Sequence, residues 1–328
     1  MSQSKLRKIG VFSSGGDAPG MNACIRAVVR TALYHDIEVT GIIRGYEGMI
    51  NSDFVPLNRS SVSGIIHRGG TILKSARSER FMKKEFREVA YKNLKANNID
   101  AIVAIGGDGT FKGALQFHSE FPDIQIVGTP GTIDNDLFGT DYTIGFDTAV
   151  NTAIEAIDKI RDTADSHDRL FFIEVMGRDA GLIALHSGIA SGAEDILIPE
   201  TKTDLMELIG KLKKGRKRGK QSSIVIVAEG DDAGGAFKIV EQIKPLLPEY
   251  DIRVTILGHI QRGGNPTALD RLQPSEMGMA AAEALIVGKK NIMIGIQNRK
   301  IVEVPFEKAT KQHPAIDEQM KKMMEILS

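Results

Sequence analysis

Ala101-Ile102-Val103-Ala104-Ile105-Gly106-Gly107-Asp108-Gly109-Thr110 decides the fold. The stretch opens on an unbroken apolar run, with none of the alternation of a strand that keeps one wet face. Such a run marks a central parallel strand covered on both sides. The glycines end it, and the pattern through Ala114 and Phe117 is helical. Glycines here let a phosphate approach the backbone closely, and Asp108 can face a magnesium ion.

The same strand, glycine-rich turn and helix occur upstream. Ile9 to Phe12 reads as a strand, Ser13-Ser14-Gly15-Gly16-Asp17-Ala18-Pro19-Gly20 as its turn, and Ile25, Val28, Val29, Ala32 and Leu33 as one face of a helix from Met21. Neither a dinucleotide glycine spacing nor a Walker Lys-Ser/Thr is present. The turn is either an anion cradle of backbone N–H groups or a tight connection. Downstream, Ile124 to Val127 is a strand, broken by Pro130-Gly131 and followed by Thr132-Ile133-Asp134-Asn135-Asp136. No helix or sheet face needs two carboxylates around an amide. One can take a proton while the other faces a metal; the alternative is a polar surface turn. Three such strand ends in one sheet can converge on a single crevice.

Elsewhere, Val39 to Ile43 reads as a strand, Gly45 to Gly48 as a turn, Ser60 to Ile66 as the opening of a helix and Phe86 to Leu94 as a helix. Ser75 to Phe81 is a polar loop rich in arginine. A long helix is expected from Thr148 to Asp162, with a first domain boundary near Gly145. Strands follow at Leu170 to Val175, Ile196 to Ile198, Ile224 to Ala228 and Val254 to Leu257, with a last one at Ile292 to Ile296. Helices are expected at Leu182 to Ala190, Leu205 to Lys214, Pro274 to Val287 and near the terminus at Lys308 to Leu327. The basic run to Lys220 is a solvated face or a functional one. Arg253, His259 and Arg262 form either an anion site or a salt-bridged surface. The alternating βα order predicts an α/β protein of two Rossmann-like, three-layer domains with mostly parallel sheets. The expected division is 1–145 with 261–307 and 146–260 with 308–328, the active site lying in the cleft between them.

Composition narrows the classes. The 328 residues are 42% apolar and 26% charged, with a formal net charge of zero. Global charge favours neither nucleic acid nor a membrane surface, and 5% aromatics make base-stacking platforms a poor fit. One cysteine, Cys24, excludes a disulfide framework and a cysteine-rich metal site. No apolar stretch approaches a membrane span, and Met1 to Lys8 has no signal-peptide character, so a cytoplasmic protein is expected.

Asp108, Asp134 and Asp136 with glycine-rich loops and separated arginines suit phosphoryl transfer, in which positioning and electrostatics dominate and one base orients the acceptor hydroxyl. Asp134 is the base candidate; Asp108 and Asp136 face the metal, directly or through water. At this point the chain resembles the bacterial ATP-dependent 6-phosphofructokinase family from about Lys8 to Lys308. The motifs Ser14 to Asn22, Gly106 to Thr110, Pro130 to Asp136, Met176-Gly177-Arg178 and Gly258 to Gly264 occur in the family's order. The resemblance implies a magnesium- and ATP-dependent kinase acting on fructose 6-phosphate, assembled as a homotetramer.

It also implies residue roles. Gly15, Arg77, Ser78, Asp108, Gly109 and Thr110 match the ATP and magnesium loops. Asp134 matches the base for the sugar 1-hydroxyl, and Gly15, Thr132, Arg77 and Arg178 match groups around the transferred phosphoryl. Asp136, Met176, Gly177 and Glu229 match sugar-side contacts; Arg169, Arg253, His259 and Arg262 match the sugar-phosphate site, with Arg169 and Arg253 reaching a neighbouring subunit. Arg26, Arg30, Arg59, Arg161, Glu194, Arg218 and Lys220 match an effector site for ADP, which activates, and phosphoenolpyruvate, which inhibits. The chain departs from the family at Gly64 and Ser60 near that site, at Ser78, where an aromatic residue often lies near adenine, and at Met82, near where a second arginine is expected. Pyrophosphate-dependent relatives usually carry Asp in place of Gly109 and Lys in place of Gly131, so this chain looks like the ATP type. The rivals are transfer from pyrophosphate, a kinase of the diacylglycerol or NAD type with a similar glycine loop, and a nucleotide sensor on an inactive kinase fold.

Overall fold

The computed structural model describes residues 6–311 and 317–327. The chain begins β1 (Lys8–Ser13), α1 (Met21–Tyr34), β2 (Glu38–Ile42), α2 (Gly45–Asn51), β3 (Phe54–Leu57), α3 (Lys84–Ala96), β4 (Ala101–Gly106), α4 (Asp108–Glu120) and β5 (Gln125–Pro130). It continues α5 (Phe146–Ser166), β6 (Arg169–Val175), α6 (Leu182–Ala190), β7 (Asp195–Leu197), α7 (Leu205–Lys217), β8 (Ser223–Ala228), α8 (Gly235–Ile243) and β9 (Asp251–Ile256). It closes with α9 (Leu269–Ile286), β10 (Ile292–Gln297), β11 (Lys300–Pro305) and α10 (Glu318–Leu327). Among the described residues, 6–133, 137–148 and 262–311 form one compact unit, and 134–136, 149–261 and 317–327 a second.

The first unit holds a seven-stranded sheet in the order β11-β10-β5-β4-β1-β2-β3. β4 lies between β1 and β5, parallel to both, as its unbroken apolar run requires. Ile102 and Ala104 join a core with Met49, Ala90 and Phe117, while α1 and α9 cover β4 and β5 as a further layer. The antiparallel strands β3 and β11 occupy the two edges. The second unit has a four-stranded parallel sheet, β7-β8-β6-β9, packed on α7 and α8 through Phe172, Val225, Leu208 and Ile239. The fold is the expected α/β arrangement with mostly parallel sheets.

Local expectations fail where side chains or left-handed residues overrule composition. Gly45 to Gly48 is helical rather than a turn. Arg44, left-handed at φ 62°, makes the reversal, so that Tyr46, Met49 and Ile50 can bury one face of α2. Ser60 to Ile66 is not helical. The Asn58 carboxamide oxygen accepts the N–H groups of Ser60 and Ser61 at 2.9 and 3.0 Å, and Gly64 is left-handed at φ 64°. These local bonds compete with a helix ladder. α9 begins at Leu269 and carries Pro274 inside it. A proline lacks the N–H that would bond the Asp270 carbonyl. Gly20 approaches that carbonyl so closely that a Cβ would lie 2.5 Å from its oxygen. β10 is followed by β11, so it is not the last strand. Among the described residues the terminal helix runs Glu318–Leu327 and 308–311 are not helical; positions 312–316 of the expected one lie outside the described residues.

Candidate active site

In the first unit, the three glycine-rich ends leave neighbouring parallel strands, in the order β5-β4-β1. Backbone bonds join them: Ser14 N donates to Ile105 O and Gly131 N to Gly106 O, each at 2.9 Å. Gly15 is left-handed at φ 86°, and a Cβ there would meet nothing within 4 Å; the same space opens beside Gly109. Backbone N–H groups bordered by such space suit a phosphate chain. Thr132 stands at this edge, since a Cβ on Gly107 would lie 3.7 Å from the Thr132 Cβ. Thr110 is buried behind it, its carbonyl accepting the Tyr46 hydroxyl at 2.5 Å.

Asp108 opens α4, its Oδ1 accepting Lys311 N at 2.9 Å and its Oδ2 accepting Lys112 Nζ at 2.7 Å. Among the described residues no group of three or more His, Cys, Asp or Glu could hold a metal on its own. Magnesium usually takes one or two carboxylates and completes its shell with phosphate and water, which suits Asp108 beside the open glycines.

The loop after β5 is not a wet turn. Asp134 and Asp136 are each only 7% exposed. Asn135 between them is left-handed at φ 53°. Gly131 bridges Ile144, and Thr143 Oγ1 donates to Thr132 O at 2.5 Å, which ties the loop to the start of α5. Gly131 differs from Gly109: a Cβ would meet the Met21 Cε at 2.9 Å and Gly106 N at 3.2 Å.

Arg77 is exposed on a loop fastened on both sides of it. Ser13 Oγ shares a 2.7 Å hydrogen bond with Thr71 Oγ1 and donates to Lys74 O at 2.9 Å, and Ser75 Oγ donates to Gly15 O. Beyond Arg77, Ser78 Oγ donates to Glu47 Oε2 at 2.6 Å and Arg80 Nε to Glu47 Oε1 at 2.9 Å. The Arg80 hydrogen bond, and then that of Ser78, hold the Glu47 carboxyl below the usual range. Ser78, expected at the nucleotide, thus directs its hydroxyl to Glu47. Met82, standing near where the family carries a second arginine, is exposed. Asn22, inside the first motif, is a buried staple: its Nδ2 donates to Arg68 O at 3.0 Å and its Oδ1 accepts Ile72 N at 2.8 Å. Arg262 also belongs to this unit, with its Nη1 donating to Asp17 O at 3.3 Å.

In the second unit, Met176, Gly177 and Arg178 follow β6. Gly177 has φ 145° and Arg178 is left-handed at φ 55°. Arg178 N donates to Glu229 Oε1 at 2.6 Å, and Met176 N to Gln261 Oε1 at 2.9 Å. Arg169 and Arg253 are brought together by Asp251: its Oδ2 accepts Arg169 Nε at 2.9 Å and Arg253 Nη2 at 3.1 Å. Arg169 faces Asp251 across the β6–β9 pair, and Arg253 is two residues along the same strand, so all three share a sheet face. His259 is exposed in the short turn Gly258–Arg262. Residue-type reasoning missed Glu47, Asp251 and Gln261. Gln261 alone lay inside a quoted motif.

The positions expected to form an effector site fall into two groups. Arg26 and Arg30 stand one turn apart on α1, and burial, then the Arg30 charge, push the Arg26 guanidinium down. In the second unit, Lys220 Nζ donates to Glu194 Oε2, and Arg161 Nη2 donates to Ser191 O and, at 3.3 Å, to Gly192 O. Arg59 and Arg218 are exposed.

The phosphofructokinase family model matches residues 8–285. The chain is 55% identical over 324 residues to an ATP-dependent 6-phosphofructokinase of Cytophaga hutchinsonii, covering 98% of each protein. It is 54% identical to ATP-dependent 6-phosphofructokinase 1 of Thermus thermophilus, over 98% of this chain and 100% of that one. Among solved structures, phosphofructokinase from Saccharomyces cerevisiae superposes with a TM-score of 0.87 at 38% identity, over 92% of this chain and 45% of the yeast chain. Matched by the family model over residues 8–285 and 55% identical to a bacterial relative over 98% of its length, the chain belongs to the phosphofructokinase family.

Proposed function

We propose that the chain is an ATP-dependent 6-phosphofructokinase, transferring the γ-phosphoryl of ATP to the 1-hydroxyl of fructose 6-phosphate to give fructose 1,6-bisphosphate and ADP. The observation that carries this reading is the buried Asp134-Asn135-Asp136 turn at the end of β5, in a chain 55% identical to a protein of that name. In the step, the sugar oxygen bonds to the γ-phosphorus as the bond to the ADP oxygen breaks, and Asp134 takes the hydroxyl proton. Gly15 and Gly109 let the nucleotide phosphates reach backbone N–H groups. Thr132, Arg77 and Arg178 bear on the moving phosphoryl group. Magnesium, held through Asp108 and Asp136 directly or by water, would neutralise phosphate charge when bound. Met176, Gly177 and Glu229 meet the sugar, and Arg169, Arg253, His259 and Arg262 its phosphate.

Gly131 bears on the donor. A lysine there, usual in pyrophosphate-dependent relatives, would have to displace the end of the Met21 side chain and press its Cβ against Gly106 N at 3.2 Å. Gly109 leaves room for a side chain, so its part in donor choice would lie in what it grants the nucleotide. The reading includes a homotetramer in the cytoplasm, with ADP and phosphoenolpyruvate acting through the seven effector positions. No helix among the described residues is long and apolar enough to cross a membrane.

Steady-state rates with ATP and with pyrophosphate at saturating fructose 6-phosphate test the reading; a faster pyrophosphate rate overturns the donor. Asp134→Ala should lower kcat by roughly 10²- to 10⁴-fold while fructose 6-phosphate still binds, the usual loss for a general base. Unchanged turnover removes Asp134 from the step.

A further inference from the structure

The Arg77 loop is held by a residue with no place in the roles above. Glu47 is three-quarters buried, with 24% of its side chain exposed. It accepts Ser78 Oγ, Arg80 Nε and Arg80 Nη2. Asn51, one turn further along α2, takes Arg80 Nη2 at 2.7 Å. Ser78 Oγ in turn accepts Phe81 N at 3.2 Å, at the head of the short helical turn Arg80–Met82. Phe81 stacks on Tyr46 at 4.0 Å between ring centroids. α2 therefore grips the far side of the loop with two consecutive residues, Tyr46 by stacking and Glu47 by charge-assisted bonds. The near side is gripped by Gly15, whose carbonyl accepts Ser75 Oγ.

We propose that Glu47 is a positioning residue for phosphoryl transfer, fixing the Ser78–Arg80 segment so that Arg77 leaves its loop at a set place relative to Gly15. An exposed ion pair that merely decorates a surface contributes little and is readily lost. This pair sets two guanidinium nitrogens on one oxygen, Oε1, of a partly buried carboxylate whose other oxygen holds Ser78, the residue next to Arg77. Three donors converging on the two oxygens of one carboxylate fix direction as well as distance, and bonds to an ionised group are stronger than neutral ones. A guanidinium meant for a moving phosphoryl group must itself stay open, so rigidity has to come from its neighbours. Ser75 and Ser78 supply it on either side, and Glu47 is the anchor of the second.

The inference rests on the proposed role of Arg77, and a double-mutant cycle separates the two. The kcat, both KM values and the melting temperature are measured for wild type, Glu47→Ala, Glu47→Gln, Arg77→Ala and Glu47→Ala/Arg77→Ala, with ATP and fructose 6-phosphate. Glu47→Ala should lower kcat roughly 10-fold or more, the scale of a small misplacement, with the fructose 6-phosphate KM within about 2-fold. Glu47→Gln keeps an oxygen for Ser78 and should fall between the two. The double variant should be no slower than Arg77→Ala alone, because Glu47 acts through Arg77. Multiplying losses, or a wild-type kcat in Glu47→Ala, overturn the inference while leaving the kinase reading intact. A wild-type protein with no transfer from ATP to fructose 6-phosphate overturns both. A lower melting temperature with kcat unchanged would make Glu47 a stability residue only and also overturn the inference.

Discussion

Arg77 in the first unit and the Arg169–Arg253 pair in the second are held in opposite ways. In the first, Arg77 is exposed while Ser75 and Ser78, either side of it, are fastened to Gly15 and Glu47. In the second, Arg169 and Arg253 are themselves fastened, both to Asp251 Oδ2. An open guanidinium on a stiff loop meets an arriving charge without giving up a partner. A guanidinium already on a carboxylate must exchange one anion for another, yet its direction is set and its repulsion from a second arginine is relieved. The first arrangement suits a group that acts when charge develops, the second a group that receives a substrate already charged. Losses should therefore appear in kcat for Arg77 and in KM for the Arg169–Arg253 pair.

The sharpest test of that division is Arg77→Ala. Removing one donor aimed at transition-state charge typically costs roughly 10²- to 10³-fold in kcat. Steady-state kinetics should give that loss, with the fructose 6-phosphate KM nearly constant. A KM effect as large as the kcat effect would erase the contrast with Asp251. A smaller effect is expected for Asp251→Asn, which keeps the shape but loses the charge that gathers Arg169 and Arg253. Its fructose 6-phosphate KM should rise about 3- to 10-fold with kcat within about 2-fold, as for lost uniform binding. A lowered KM would mean that Asp251 chiefly competes with the sugar phosphate, and the comparison would then rest on competition in place of orientation.

Most strands were legible because burial leaves a mark in composition, while the antiparallel edge strands β3 and β11 were not. β4, β5, β6 and β8 are apolar runs, and each lies inside a sheet. The glycine loops were legible because backbone approach demands glycine, as at Gly15 with φ 86°. What supports the arginines was not. Glu47 and Arg80 are 33 residues apart, and Arg169 and Asp251 are 82 apart, so each pairing exists only once the chain is folded. Ser60 to Ile66 misled for a related reason: its serines satisfy their polar groups on Asn58 locally, a preference no apolar periodicity reports. The carboxylate pair at Asp134 and Asp136 was legible as chemistry but not as burial, since a wet turn has the same letters.

The smallest effect concerns pH, and it decides whether the two clamps differ in geometry alone. The Asp251 carboxyl is held below its usual range by the Arg169 hydrogen bond first and then by that of Arg253; Glu47 is lowered in the same direction by Arg80 and Ser78. Unfolded Asp and Glu titrate near about 3.9 and 4.3. A carboxyl with a depressed folded pKa contributes stability that is complete above the unfolded value and is lost as pH falls through the folded one. For both clamps that window lies on the acid side of the ordinary carboxylate range. Their partners are arginines, which keep their charge far above neutrality. The ratio of wild-type to Glu47→Gln kcat, and of Asp251→Asn to wild-type KM, should thus stay flat within about 2-fold from about pH 6 to 9, whatever curve the separate rates follow. An inflection near neutrality in either ratio would show that a different titrating group governs that clamp. Flat ratios would leave which atom is fastened, the neighbour's or the guanidinium's own, as the difference between the two units.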